Sequence, residues 1–385
     1  MKILLISDVY FPRINGVSTS ILLLRRELAQ FGHETALVVP NYAPIPGVIE
    51  EEDTIFRVPA YRFIFEPEDR QMQFRALRKI LSQLHDFDLV HIHTPFIAHY
   101  AGLSWARRRN LPCVASYHTF FEEYLYHYLP LAPPKIMRYL ARRFSRSQAH
   151  QLDALVVPSQ AIASILRSYK IHTPIKIIPT GIDPHDLSGG NKNAFRTRYG
   201  ISPDRLILIY VGRVAFEKNI EFLIEVVEKT RHFFPQLLFL IVGDGPARNY
   251  LERRVAQMQI VENVRFLGYL DRHGELRDAY QAADVFIFAS ATETQGLVLL
   301  EAMAMGIPIV STAQLGTVDI LQAGQGAIIA QPNIEDFTAQ LRRVLQEPLL
   351  RERLSREGVI YAQNWTTQAM ALRMIEFYQE VLQRH

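Results

Sequence analysis

Short apolar runs recur along this chain, each followed by a loop carrying glycine and then by a stretch with apolar residues three and four positions apart. Lys2 to Ser7 (KILLIS) reads as a buried parallel strand. A loop with Pro12 and Gly16 follows, and Ile21, Leu24, Leu28 and Phe31 give Val17 to Phe31 the spacing of a helix. Gly32 ends that helix, and Thr35 to Val39 is the next strand. The same order returns at Leu206 to Val211 (LILIYV), with Gly212, the loop RVAFEK, a helix from about Asn219 to Lys229, a strand at Leu237 to Val242 and a turn at Gly243 to Pro246. Further apolar strands are expected at Leu89–Ile92, Cys113–Ser116, Leu155–Val157, Val264–Leu267, Val285–Phe288 and Ile307–Val310. Strands alternating with helices in both halves predict an α/β chain with two doubly wound parallel sheets. The halves are too dissimilar to be a repeat.

Between them Ile182 to Arg205 is polar and broken by Gly189, Gly190, Gly200 and Pro203, which marks it as the expected linker. Open α/β sheets bind ligands at the carboxyl ends of their strands, and pockets favour domain interfaces, so a cleft between the sheets is the expected site. A length of 385 residues, 49% of them hydrophobic, suits two cores. The single cysteine, Cys113, has no partner for an internal disulfide and fits a reducing compartment. The apolar run before Asp8 is too short for a secretory segment, and no stretch approaches the roughly 18 apolar residues of a membrane span. A cytoplasmic protein is expected. The net charge of +3 divides unevenly: residues 1 to 180 hold 21 Lys and Arg against 15 Asp and Glu, the remainder 21 against 24. Attraction to an anionic surface therefore belongs to the first half, and the balance is not basic enough to favour nucleic acid.

Arg213 and Lys218 follow a strand within one loop, where a guanidinium and an ammonium can reach one diphosphate; as solvated cations they would be unremarked, although cations at a helix start oppose its dipole. In "ATETQGLVLLEAMAMGIPIV", Ala291 to Val310, Gly296 allows close approach of a ligand and a helix starting near Leu297 offers unpaired N–H groups to a phosphate. Glu293 and Glu301 then flank that phosphate and can hold sugar hydroxyls on either side. Taken singly, Glu301 also reads as an exposed helical glutamate, and Glu293 as an acid favoured near a helix start. "DFD" at Asp86 to Asp88 has the spacing of a divalent-cation motif but precedes a strand, and His91 and His93 share one strand face by their period of two; neither is taken as a metal site.

The order of "VYFPRINGVSTSI", "SYHT", "IPTGID", "VGRVAFEKNIEFLI", "IVGDGP", "FLGYL" and "ETQGLVLLE" resembles the retaining glycosyltransferases of the two-Rossmann GT-B fold, glycosyltransferase family four, also described as glycosyl transferases group 1. The resemblance covers nearly the whole chain. It implies two Rossmann-like domains facing across a cleft: residues 1–183 for the acceptor, 184–364 for the nucleotide sugar, and a closing helix in 365–385 that returns to the first domain. It also implies roles. Gly16 would face the donor diphosphate, Arg213 and Lys218 would neutralise it, and Gly296, Leu297 and Val298 would offer it backbone N–H groups. Glu301 would bind the ribose, while Gly243 and its turn, with Tyr269 and Leu270, would border the base. Glu293 would bind the donor sugar, and His118, otherwise a core histidine, would approach that sugar from the first domain. No cofactor and no metal are expected, the nucleotide sugar being a co-substrate, and no side-chain nucleophile is named.

From Tyr124 to Leu152 there is no acidic residue. Lys135, Arg138, Arg142 and Arg146 fall on an arc of about 80° if this stretch is helical, with Ile136, Met137, Leu140 and Phe144 on another. An aromatic segment, "FFEEYLYHYLPLAPP", precedes it, and Phe56 to Lys79, with Phe63, Phe65, Arg70, Arg75, Arg78 and Lys79, is similarly basic and aromatic. Either the apolar arc packs on the first sheet with the arginines in water, or the helix lies on an anionic membrane surface. "HTPF", "YHTFFEEYLYHYLP" and "TETQGL" resemble the subgroup that glucosylates diacylglycerol or mannosylates phosphatidylinositol, which implies a peripheral enzyme on the inner face of the cell membrane with a lipid acceptor. The leading expectation is transfer of a hexose from a UDP-glucose or GDP-mannose type donor to such a lipid. A nucleotide-sugar 2-epimerase on the same fold, a soluble or polysaccharide acceptor, and a non-catalytic binding module stay open. Hydride transfer is disfavoured, since no G-x-G-x-x-G follows Ser7 or Val211. The oligomeric state is not legible.

Overall fold

The computed structural model describes residues 1–13, 15–42, 53–62, 70–118, 134–272, 274–321 and 324–385. Phe63, Phe65 and nearly all of the aromatic stretch 120–134 lie outside them, and of Lys135 and Arg138 only the backbone lies inside. The chain forms two compact units, Met1–Gly181 with Thr367–His385, and Ile182–Thr366.

In unit 1 the strands are β1 (Lys2–Ile6), β2 (Glu34–Pro40), β3 (Ile55–Val58), β6 (Leu89–Ile92), β7 (Cys113–Ser116), β8 (Ala154–Val157) and β9 (Ile175–Ile177), all parallel in the order β3-β2-β1-β6-β7-β8-β9. β4 (Ala60–Arg62) and β5 (Arg70–Met72) form a separate antiparallel pair. The helices are α1 (Gly16–Gln30), α2 (Phe74–Gln83), α3 (Ile97–Arg108), α4 (Pro134–Ala149) and α5 (Gln160–Ser168). Unit 2 carries β10 (Ile207–Val211), β11 (Leu238–Val242), β12 (Val264–Gly268), β13 (Val285–Phe288), β14 (Ile309–Ser311) and β15 (Ala327–Ile329) in the parallel order β12-β11-β10-β13-β14-β15. Its helices are α6 (Lys192–Arg198), α7 (Ile220–Thr230), α8 (Arg248–Gln257), α9 (Glu275–Ala282), α10 (Leu297–Ala304), α11 (Ile334–Gln346) and α12 (Pro348–Ala362).

The central strands read as continuous apolar runs because helices cover both sheet faces: every residue of β10, β11 and β13 is buried. Helix α1 starts where it does because Asn15 caps it, its side chain accepting from Ser18 N at 2.9 Å. Gly16 is thus the first helical residue and not a loop residue.

The segment 182–205 is not a linker. Phe195 of α6 is buried in the unit 2 core, and the buried Arg196 donates to the carbonyls of Ser202, Arg205 and Ala282 at 2.7, 3.0 and 3.1 Å. Its glycines and polar residues wrap a surface, and composition alone does not distinguish that from a tether.

The last helix, α13 (Thr367–Arg384), belongs to unit 1. It packs along α1 and buries Met370, Met374, Phe377 and Tyr378. Three polar contacts fix its register: Thr367 Oγ1 donates to Glu27 Oε1 at 2.9 Å, Lys176 Nζ meets Glu380 Oε1 at 2.8 Å, and Tyr378 Oη lies 2.6 Å from His91 Nδ1. Among the described residues no helix is long and apolar enough to cross a membrane.

Candidate functional site

In unit 2 the strand order reverses direction between β10 and β13, so the helices after these two strands leave a crevice at their carboxyl ends. The loops after them meet there. Asn219 Nδ2 reaches Ala289 O at 3.4 Å, and Lys218 Nζ forms an ion pair with Glu293 Oε2 at 2.7 Å. The side chains of both partners are about four-fifths buried. Seventy-five residues separate them in the chain, and only the sheet order makes them neighbours. The Glu293 loop is held from its other side by Gly316, whose N–H donates to Glu293 O at 2.9 Å. Arg213 lies in the same β10 loop, its carbonyl accepting from Tyr210 Oη at 3.1 Å.

Gly296 is the N-cap of α10 with φ 93° and ψ 55° and makes no side-chain cap. That left-handed conformation is one a residue with a Cβ rarely takes, which is why the turn into α10 needs glycine. The amides of Leu297 and Val298 have no acceptor inside the helix and present the positive end of its dipole, whereas Leu299 N already donates to Gly296 O at 3.0 Å. Further along the same edge, Gly243 follows the last residue of β11. A Cβ there would fall 2.0 Å from Gly212 O, so the loops after β10 and β11 touch backbone to backbone. Gly243 N donates to Gly268 O at 2.8 Å, and Tyr269, just beyond, is 59% exposed, while Leu270 packs against the core.

Glu301 is not an exposed helical glutamate: it is 4% exposed. Its Oε1 meets Arg272 Nη2 at 2.6 Å and its Oε2 accepts from Tyr280 Oη at 3.1 Å. The carboxylate holds the Arg272 guanidinium above its ordinary pKa, and burial of Tyr280 beside it drives the phenol well above 10. A ribose diol at Glu301 would share these oxygens with Arg272. Sequence reasoning missed Arg272 and Tyr280. The available signal was physical: a helical acid on the core side of α10 needs a cation and a donor to be buried at all.

Unit 1 holds the remaining candidates. His118 follows β7, half-buried, with its Nε2 at 3.3 Å from His93 Nδ1 and the two rings stacked 5.6 Å apart. His93 in turn lies against His91, ring centroids 4.1 Å apart, and His91 Nε2 is 2.8 Å from Ser116 Oγ. Burial pushes His118 down to about 4 and His91 to about 3, so these imidazoles are neutral at pH 7. Among the described residues no group of three or more His, Cys, Asp or Glu is placed to hold a metal ion. Asp88 of the "DFD" motif accepts instead from Lys2 N at 2.7 Å.

Asp8 lies at the corresponding reversal of the unit 1 sheet, between β1 and β6. It is 8% exposed and accepts from Thr94 Oγ1 at 2.8 Å and from Ala98 N at 3.1 and 3.2 Å. Desolvation raises its carboxyl to about 6.

Helix α4 divides differently from its sequence pattern. Met137, Ala141, Ser145, Gln148 and Ala149 face inward, whereas Ile136, Tyr139 and Leu140 stand exposed, with Arg143 one turn on. The expected apolar arc is therefore split between two faces, with Met137 inside and Ile136 and Leu140 outside. Arg142 and Arg146, though exposed, are also turned toward α5: Arg142 lies 5.3 Å from the Tyr169 ring, and Arg146 donates to the Tyr169 carbonyl.

Residues 14–186 match the family described as Glycosyltransferase Family 4, and residues 191–359 the family described as Glycosyl transferases group 1. The alpha-monoglucosyldiacylglycerol synthase of Streptococcus pneumoniae is 30% identical over 88% of this chain and 80% of its own length. The enzyme of the same name from Acholeplasma laidlawii is 27% identical over 100% of this chain and 98% of its own. Among solved structures, sucrose-phosphate synthase from Thermosynechococcus elongatus superposes with a TM-score of 0.82 at 22% identity, over 100% of both chains; its fold is that of the GT-B glycosyltransferases. A crevice built from "VGRVAFEK" and "ETQGLVLLE" and these matches over both units lead to one conclusion: the chain is a glycosyltransferase and belongs to glycosyltransferase family 4.

Proposed function

We propose that this enzyme moves a hexose, with retention of configuration, from a nucleotide diphosphate sugar to the free hydroxyl of a membrane glycerolipid, diacylglycerol being the favoured acceptor. The observation that carries the reading is the Lys218–Glu293 pair at 2.7 Å beside the uncapped start of α10. The donor diphosphate sits against the α10 amides, with Arg213 and Lys218 as its cations. Lys218 then turns from Glu293 to the phosphate, and the released carboxylate takes hydroxyls of the sugar. Negative charge grows on the departing phosphate as the oxocarbenium-like state forms, so groups aimed there stabilise that state more than the bound donor. Glu301, steadied by Arg272, holds the ribose; Gly243, Tyr269 and Leu270 border the base. The acceptor attacks from the leaving-group face, so neither a side-chain nucleophile nor a metal is needed.

The glycerolipid acceptor is supported by the names of the two synthases and by the exposed Ile136, Tyr139 and Leu140 of α4. These side chains enter the boundary of an anionic bilayer while Arg143 and its neighbours meet the headgroups. The test is incubation with radiolabelled UDP-glucose or GDP-mannose and diacylglycerol in anionic vesicles. Labelled glycosyl-diacylglycerol is expected; label only in an epimerised sugar overturns the reading. Replacing Ile136, Tyr139 and Leu140 together by serine should abolish sedimentation with those vesicles while leaving nucleotide binding intact.

A further inference from the structure

The two acidic residues of the unit 2 crevice carry different ion pairs. Glu293 is paired with Lys218, a cation that a diphosphate can draw away because it brings negative charge of its own. The ligand proposed for Glu301 is a ribose, which is neutral. It has nothing to exchange for Arg272, and a carboxylate only 4% exposed would be left buried without a counter-charge if the guanidinium departed.

The contacts at Glu301 also leave room for a diol. A carboxylate has about four acceptor sites, two on each oxygen. Arg272 Nη2 takes one on Oε1 at 2.6 Å and Tyr280 Oη takes one on Oε2 at 3.1 Å, so each oxygen keeps one for a hydroxyl. Two adjacent hydroxyls are read together only if the carboxylate does not rotate, and both of its partners are themselves held. Tyr280 is 1% exposed in α9 and lies against Phe286, ring centroids 6.2 Å apart. Arg272 stands in the loop after β12, next to Asp271, whose carbonyl accepts from Leu276 N at 2.9 Å. The pair thereby ties the loop that carries Tyr269 and Leu270 to helix α10.

We propose that Arg272 stays on Glu301 when the donor binds and acts as a positioning residue. Together with Tyr280 it fixes the plane of the carboxylate, and that fixed plane makes the enzyme select nucleotides with a ribose diol over those lacking it. The ribose at Glu301 is part of the function proposed above; the permanence of the pair and its part in selection go beyond it. A nucleotide without the diol leaves acceptor sites of a buried carboxylate unfilled, which is the basis of the rejection.

The test is calorimetric binding to the full chain. UDP and GDP are titrated first, and the tighter of them is compared with its 2′,3′-dideoxy form; the ratio of the two dissociation constants is the readout. General loosening of the loop would weaken both nucleotides alike and leave this ratio unmoved. The parent should prefer the ribonucleotide by about tenfold or more, as hydrogen bonds to a charged group imply, and Glu301→Gln should lose most of that preference. Arg272→Met should bring the ratio to within about twofold of unity. Arg272→Lys, which keeps the charge as a point on a rotatable stem, should lower the ratio about threefold and decides the matter if Arg272→Met fails to fold. A preference lost in Glu301→Gln but kept in Arg272→Met, or kept in full by Arg272→Lys where Arg272→Met does not fold, overturns this inference alone. So does tighter binding of the ribonucleotide by either Arg272 variant, which would mean that Arg272 competes with the ribose. Binding of neither nucleotide, no preference in the parent, or an undiminished preference in Glu301→Gln removes the ribose from Glu301 and overturns that placement together with this inference. Failure of hexose transfer to diacylglycerol, with the ratios as expected, would instead overturn the proposed acceptor.

Discussion

The two units solve the same geometric problem in opposite ways. Each sheet reverses its strand order beside its first strand, between β1 and β6 in unit 1 and between β10 and β13 in unit 2, and each reversal brings a helix start to the carboxyl edge. In unit 1 the chain supplies the anion itself: Asp8 accepts from Ala98 N in the first turn of α3 and is buried there. In unit 2 the corresponding helix, α10, begins at Gly296 with no side-chain cap, and the nearby Lys218 and Glu293 are paired to one another. The start of α3 is thus satisfied by a carboxylate of its own unit, whereas the start of α10 has no side-chain cap.

That contrast can be broken most directly at Lys218. Lys218→Ala should lower kcat by about 10² to 10³, the usual cost of losing one donor to a developing oxyanion, with little change in the unfolding midpoint. Equal turnover in mutant and parent removes Lys218 from the reaction. Next comes Asp8. Because desolvation raises its carboxyl from 3.8 to about 6, the folded chain keeps a proton that the unfolded chain has already released. Unit 1 should therefore lose up to about 3 kcal/mol of stability as pH rises from about 4 to 6, and Asp8→Asn should remove that dependence. Trp105 fluorescence in a Trp365→Phe background, followed through urea unfolding, reads unit 1 alone; an unaltered pH slope in the asparagine variant would show that another group titrates. The smallest effect is expected for Gly296→Ala. A Cβ there is strained by φ 93° and lies 3.0 Å from Leu299 Cδ1, so about 1–2 kcal/mol should be lost from unit 2, with a raised donor KM. An unchanged KM would mean that the start of α10 does not touch the donor.

Much of the architecture was legible beforehand because parallel strands buried on both faces write themselves as apolar runs, as in LILIYV, LLFLIV and VFIF. The polar stretch 182–205 misled, since glycine and charged residues suit a wrapped surface as well as a tether, and only the burial of Phe195 and Arg196 distinguishes the two. Among the candidate residues, Lys218 and Glu293 were each identifiable, but not their contact. Arg272 and Tyr280 escaped notice because nothing local in "DRHGELRDAY" shows that both converge on Glu301. Helix α4 was visible as amphipathic, yet its periodicity did not reveal that Ile136 and Leu140 stay outside while Met137 and Ala141 go in.

By itself the sequence determined the two-sheet α/β class, the positions of the strands, the glycine turns and the residue types that suit a diphosphate and two sugars, because burial, backbone conformation and charge are local requirements written residue by residue. Tertiary structure alone decided the partners: Lys218 with Glu293, Glu301 with Arg272 and Tyr280, His93 with His118, and Asp8 with the start of α3. These contacts depend on strand order and helix packing, which bring together residues tens of positions apart, and no spacing along the chain encodes such a meeting.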